Sequence, residues 1–215
     1  MSKKLRIGAL ASGGGTNLQV IIDRCQDGKL DAEIVLVISN NPDAGALERA
    51  RRAGIAVCCI DHRRFAGRED FDAALVQALR EAEVDLVILA GFMRIITPVF
   101  VDAFPHRIMN IHPALLPAFP GLHVQRKALE YGVRFAGCTV HFVDTGTDTG
   151  PIIIQAVVPV HDDDTEETLS ARILEQEHQI YPRAIQLFAE GRLRVEGRRV
   201  LVDRSAPPAV SLINP

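Results

Sequence analysis

The chain has 215 residues, 47% hydrophobic and 24% charged, with a formal charge of −3 and a pI near 6.2. These values exclude a disordered, collagenous or heptad-built chain, and the charge excludes a general polyanion-binding surface. At about 150 residues per domain the length predicts one domain with an appendage, and the absence of Trp argues against a stacking platform for bases.

In chain order, two kinds of segment alternate over the first half. Residues 5–11, 32–39, 55–60, 86–90 and 108–111 are short Ile, Leu and Val runs bounded by turn residues, the pattern of strands buried on both faces. Residues 17–26, 44–53, 68–82 and 97–104 carry helical spacing. Gly54 stands as a C-terminal stop, and Thr16 with Gln19 suggests a capping box. The alternation predicts an α/β fold: a doubly wound, mostly parallel Rossmann-like sheet with helices on both faces. After residue 120 the pattern changes to a mixed C-terminal extension. It comprises a helix at 124–131, strands at 135–143 and 152–158, a long helix at 165–190 and a hairpin around Glu196-Gly197. Pro182 predicts a kink or break in the long helix. Residues 205–215 hold three prolines and read as a surface tail.

Cys25, Cys58, Cys59 and Cys138 form no C-x-x-C pair, so reduced, buried thiols of a cytoplasmic protein are expected. The N-terminal apolar stretch is too short for a signal peptide and opens into glycines. No apolar run approaches a membrane span.

Ser12-Gly-Gly-Gly-Thr-Asn17 lies between the first strand and the first helix. Glycines there let backbone amides turn toward a ligand, and a helix N-terminus adds partial positive charge, so the segment reads as a phosphate site. The plainer alternative is a tight turn. A dinucleotide fingerprint fails because Leu18 stands at the third glycine position and Ser39-Asn40-Asn41 supplies no acid. The Gly-Lys-Ser/Thr of a P-loop and the first glycine of a nucleophile elbow are also missing.

Asn110 and His112 stand two apart at the end of the fifth strand, so they share a face at the carboxyl edge where α/β sheets bind ligands. An amide donor beside an imidazole suits addition to a carbonyl: one polarises the oxygen and the other handles protons or charge. Neither is a nucleophile, so the attacking group belongs to a substrate. The other six histidines lack this context. Asp144 and Asp148 lie on one glycine-containing loop. Either is a turn residue or a carboxylate partner that raises the His112 pKa from about 6.5, and spacing does not choose between them. In the long helix Leu169, Ile173, Glu177, Ile180, Ala184 and Phe188 share a face, so Glu177 interrupts an apolar stripe and calls for a cation or a ligand hydroxyl. Arg68 and Arg94 are candidate cations for an acidic ligand, or ordinary surface arginines.

Taken together, several motifs resemble the phosphoribosylglycinamide formyltransferases, a folate-dependent family of purine synthesis. They are Ser12-Gly-Gly-Gly-Thr-Asn-Leu-Gln19, Leu89-Ala-Gly-Phe-Met-Arg-Ile95, Asn110-Ile-His-Pro-Ala-Leu-Leu-Pro117, Gly137-Cys-Thr-Val-His-Phe-Val143, Asp148-Thr-Gly-Pro151 and Gln176-Glu-His178. The resemblance runs from about residue 5 to 195. Related motifs occur in formyltetrahydrofolate deformylases and methionyl-tRNA formyltransferases. It implies transfer of the formyl group of 10-formyltetrahydrofolate to the amine of 5-phosphoribosylglycinamide. It also implies Asn110, His112 and Asp148 as catalytic residues, selecting Asp148 over Asp144. Gly15, Thr16, Asn17 and Glu177 would bind the substrate phosphate and ribose. Arg68, Met93, Arg94, Ile95, Ile96, Asp144, Thr145, Gly146 and Thr147 would bind folate. No metal, nucleic-acid or membrane partner is expected, and the chain would act as a monomer or homodimer. Residues 1–204 would form a single domain, with a phosphate-binding half at 1–105 and a catalytic, folate-loop half at 106–204. Gly14, Ala114 and Val124-Gln125 depart from the family pattern without removing a catalytic group.

Overall fold

The computed structural model describes residues 3–203. The tail expected at 205–215 lies outside the described residues. The chain divides into two compact units, Met1–Asn110 and Ile111–Pro215.

The first unit alternates strands and helices as β1 (Leu5–Leu10), α1 (Thr16–Gln26), β2 (Ala32–Ser39), α2 (Gly45–Arg52), β3 (Ala56–Cys59), α3 (Arg68–Glu81), β4 (Leu86–Leu89), α4 (Pro98–Ala103) and the start of β5 (Ile108–His112). Its strands lie in the order β3-β2-β1-β4-β5, and every neighbouring pair is parallel. The order reverses direction at β1. Right-handed crossovers therefore put α1 and α2 on one face and α3 and α4 on the other, and the helices of each pair pack together. This is the doubly wound, Rossmann-like α/β arrangement that the alternation predicts. β1 and β4 are central and apolar, with Ile7, Ala9, Leu10, Leu86, Val87 and Ile88 fully buried.

β3 corrects one expectation. Its four residues are exposed or half-buried, because β3 is the edge of the sheet and only β2 covers it. The cysteines change with it: Cys59 is exposed, Cys58 and Cys25 are half-buried, and only Cys138 is buried, although all four are free.

The second unit holds α5 (Val124–Tyr131), β6 (Phe135–Phe142), β7 (Ile152–Pro159), α6 (Glu166–Ala189), β8 (Leu193–Glu196) and β9 (Arg199–Val202). Their order, β6-β7-β9-β8, mixes antiparallel and parallel pairs, as the extension predicts. α6 lies on β6 and β7. It starts at a capping box in which Thr165 and Thr168 bond each other's backbone amides. Pro182 does not break this helix. Ile180, Tyr181, Ala184 and Ile185 are fully buried around it, and that apolar burial outweighs one missing amide bond.

Candidate active site

In the first unit three pieces of the carboxyl edge come together: the glycine loop after β1, the loop 91–97 after β4, and Asn110 near the end of β5. Gly15 caps α1 with φ 73°, and the helix start carries no side-chain cap hydrogen bond, in keeping with an anion site at a helix N-terminus. The expected capping box is absent. Gln19 instead donates to Asp23 Oδ1 at 2.8 Å and accepts from Arg49 at 3.2 Å, because the left-handed Gly15 takes the cap position. A Cβ on Gly15 would lie 2.8 Å from the Ala46 Cβ. The loop is further tied to α2 by Ala46 N donating to Gly13 O at 3.0 Å and Arg49 Nε to Gly14 O at 2.7 Å. Thr16 is exposed and Asn17 half-buried.

The 91–97 loop exposes Met93 and Ile95 and buries Ile96. Arg94 is half-buried with its guanidinium 5.5 Å from the Phe71 ring centroid, a cation–π contact. Arg68 opens α3 and is exposed. Both arginines act on Asp72, a buried carboxylate that accepts the Thr97 amide. Burial pushes the Asp72 pKa up and the two arginines oppose it. Asn110 pairs in register with Leu89, at the carboxyl end of β4.

In the second unit His112, 5% exposed, ends β5. Its Nδ1 stands 3.5 Å from Asp148 Oδ2, and its Nε2 stands 2.9 Å from the Phe119 carbonyl oxygen. Both ring nitrogens thus face oxygen acceptors. Asp148 adopts φ 55° and its Oδ2 also accepts the Gly121 amide at 2.8 Å. The other loop carboxylate does something different. Asp144 accepts from Gly146 N at 3.0 Å and Thr149 Oγ1 at 2.6 Å, an Asx turn that shapes the loop. Thr145, Gly146 and Thr147 are exposed on that loop. Gly150 permits its return to β7: a Cβ there would lie 1.8 Å from Phe142 O.

Sequence reasoning passed over His141. It is 2% exposed, its Nε2 lies 3.8 Å from Asp148 Oδ1, and its Nδ1 lies 2.8 Å from Phe142 O. Burial lowers its pKa, with His112 adding to that effect and the Phe142 carbonyl, Asp148 and Asp144 opposing it. A register shift in the β6–β7 pairing falls between Val140 and His141. The only sequence signal was its place in the Gly137–Val143 motif. Glu177 is 7% exposed on α6, in line with Leu169, Ile173 and Ile180. Its carboxylate reaches the environment of Cys138, whose thiol pKa is pushed up by burial first and by Glu177 second. Among the described residues no cluster of three or more His, Cys, Asp or Glu side chains is arranged to hold a metal ion, and no helix is long and apolar enough to cross a membrane.

An α/β sheet with an uncapped glycine-rich helix start and a carboxylate-backed imidazole is the build of a group-transfer enzyme. Residues 5–185 match the family model described as formyl transferase, and the chain belongs to that family. It is 46% identical over 204 residues to the phosphoribosylglycinamide formyltransferase of Escherichia coli (strain K12), covering 95% of this chain and 96% of that protein. It is 50% identical over 191 residues to the trifunctional purine biosynthetic protein adenosine-3 of Drosophila melanogaster, which covers 88% of this chain and only 14% of that protein. Among solved structures, glycinamide ribonucleotide transformylase 1 from Symbiobacterium toebii superposes with a TM-score of 0.92 at 56% identity, over 94% of this chain and 95% of that one.

Proposed function

We propose that this chain transfers the formyl group of 10-formyltetrahydrofolate to the amine of 5-phosphoribosylglycinamide. The observation that carries the reading is the His112 ring held between Asp148 and Phe119, two residues along the strand from Asn110, in a member of the formyl transferase family.

The glycinamide amine attacks the formyl carbon, and a C–N bond forms as the carbonyl oxygen becomes an oxyanion. Asn110 and the His112 imidazolium stabilise that charge. An oxyanion that takes the Nε2 hydrogen displaces the Phe119 carbonyl from it. The folate C–N bond then breaks, and a water guided by Asp148 carries the surplus amine proton toward the departing folate nitrogen. The Gly15, Thr16 and Asn17 amides take the substrate phosphate, and Glu177 takes the ribose hydroxyls. Folate lies on Met93, Arg94, Ile95 and Ile96, with Arg68 and the 144–147 loop contributing. Holding both substrates together makes the encounter unimolecular. Four free cysteines suit the cytoplasm.

The test follows 10-formyltetrahydrofolate with and without the ribonucleotide. Loss that requires the acceptor, with a formylated product, supports the reading. Loss without acceptor identifies a deformylase, and no loss identifies a non-catalytic binder.

A further inference from the structure

Ser12 opens the glycine loop but is not among Gly15, Thr16 and Asn17, the residues assigned to the phosphate, and it bonds in three directions. Its amide donates to the Gly91 carbonyl at 3.0 Å, and its Oγ accepts the Met93 amide at 2.9 Å. The same Oγ donates to Asn40 Oδ1 at 2.6 Å. A hydroxyl has one hydrogen, so accepting from Met93 and donating to Asn40 fixes its direction. Asn40 is buried just past the end of β2, and its Nδ2 stands 3.4 Å from His62 Nδ1. The chain Met93 N–H, Ser12 O–H, Asn40 Oδ1 therefore runs one way, and the first bond polarises the second. Met93 is 68% exposed and Gly91 and Ile95 are exposed too, so apolar burial contributes little at these three positions.

We propose that Ser12 is a positioning residue that sets the backbone of loop 91–93 against the glycine loop. It thereby fixes the surface that receives formyl-folate relative to the cradle that receives the ribonucleotide phosphate. This assignment rests on the formyl-transfer reading for which substrate meets which loop; the clamp itself does not. The hydroxyl touches neither reacting group, so its loss weakens folate binding and leaves the chemical step largely intact.

The experiment compares wild type with Ser12→Ala, Ser12→Thr and Asn40→Ala by two readouts. The first is exchange of the Met93 amide hydrogen by NMR, which needs no substrate. The second is steady-state kinetics with both substrates. Loss of one hydrogen bond predicts a formyl-folate KM raised roughly 5- to 10-fold in Ser12→Ala, with kcat within about 3-fold of wild type. Met93 exchange accelerates about as much, Asn40→Ala follows in the same direction, and Ser12→Thr, which keeps the hydroxyl, returns both readouts toward wild type. Unchanged Met93 exchange in Ser12→Ala overturns the clamp. Faster exchange with unchanged KM, or a kcat loss at unchanged KM, overturns its role in folate binding, as does a Thr variant that behaves like Ala. A wild-type enzyme that transfers no formyl group overturns the proposed function instead, and Met93 exchange still decides the clamp.

Discussion

Asp148 Oδ2 lies 3.5 Å from His112 Nδ1 and at the same time accepts the Gly121 amide at 2.8 Å. One carboxylate thus faces the imidazole and anchors the loop that carries Phe119, the residue at the other ring nitrogen. Asp148→Asn separates these two jobs. Asn tolerates the left-handed φ of 55° at this position and retains an acceptor oxygen for Gly121, but it carries no charge. We expect kcat to fall by roughly 10- to 1,000-fold with a near-wild-type thermal midpoint. Steady-state kinetics beside thermal unfolding check this.

His141 gives the protein a pH-dependent stability. Burial lowers its folded pKa, whereas the unfolded chain presents an ordinary histidine near 6.5. The unfolded state therefore binds a proton that the folded state refuses. The stabilisation is complete above about 6.5 and is lost as pH falls from there toward the lower folded pKa. His178 is shifted the same way by burial. Urea midpoints should drop between pH 7.5 and 5.5, and His141→Gln should reduce the drop.

Thr139 governs the turn that follows His112. Its buried hydroxyl donates to Ala114 O at 2.7 Å and accepts from Leu116 N at 3.1 Å and Gln155 Nε2 at 3.0 Å. Thr139→Val keeps the shape and strands these partners, at a cost of about 1–3 kcal/mol. Urea unfolding measures that cost, and a rise in KM larger than any fall in kcat would show that the turn positions substrate.

The β-α alternation was legible because parallel strands buried on both faces are continuous apolar runs, which stand out in any chain. β3 misled because its apolar run says nothing of its place in the sheet order, and an edge strand is exposed. The capping box failed for a related reason. Thr16 and Gln19 fit the pattern, but the left-handed Gly15 takes the cap, and its contact with Ala46 is made by a helix distant in sequence. His141 was not marked by any alternation because β6 is buried at every position after Phe135, so a polar residue there does not stand out by pattern. Asp144 and Asp148 are equivalent as letters. Only the folded loop shows one in an Asx turn and the other against His112. The bonds of Ser12 join residues 28 and 81 positions away, beyond any local pattern.

The most direct test of the account is turnover of His112→Ala with both substrates saturating, alongside circular dichroism and thermal unfolding. Loss of the imidazolium predicts a kcat lower by roughly two or more powers of ten in a protein that still folds. Near-wild-type turnover in the folded variant would contradict it.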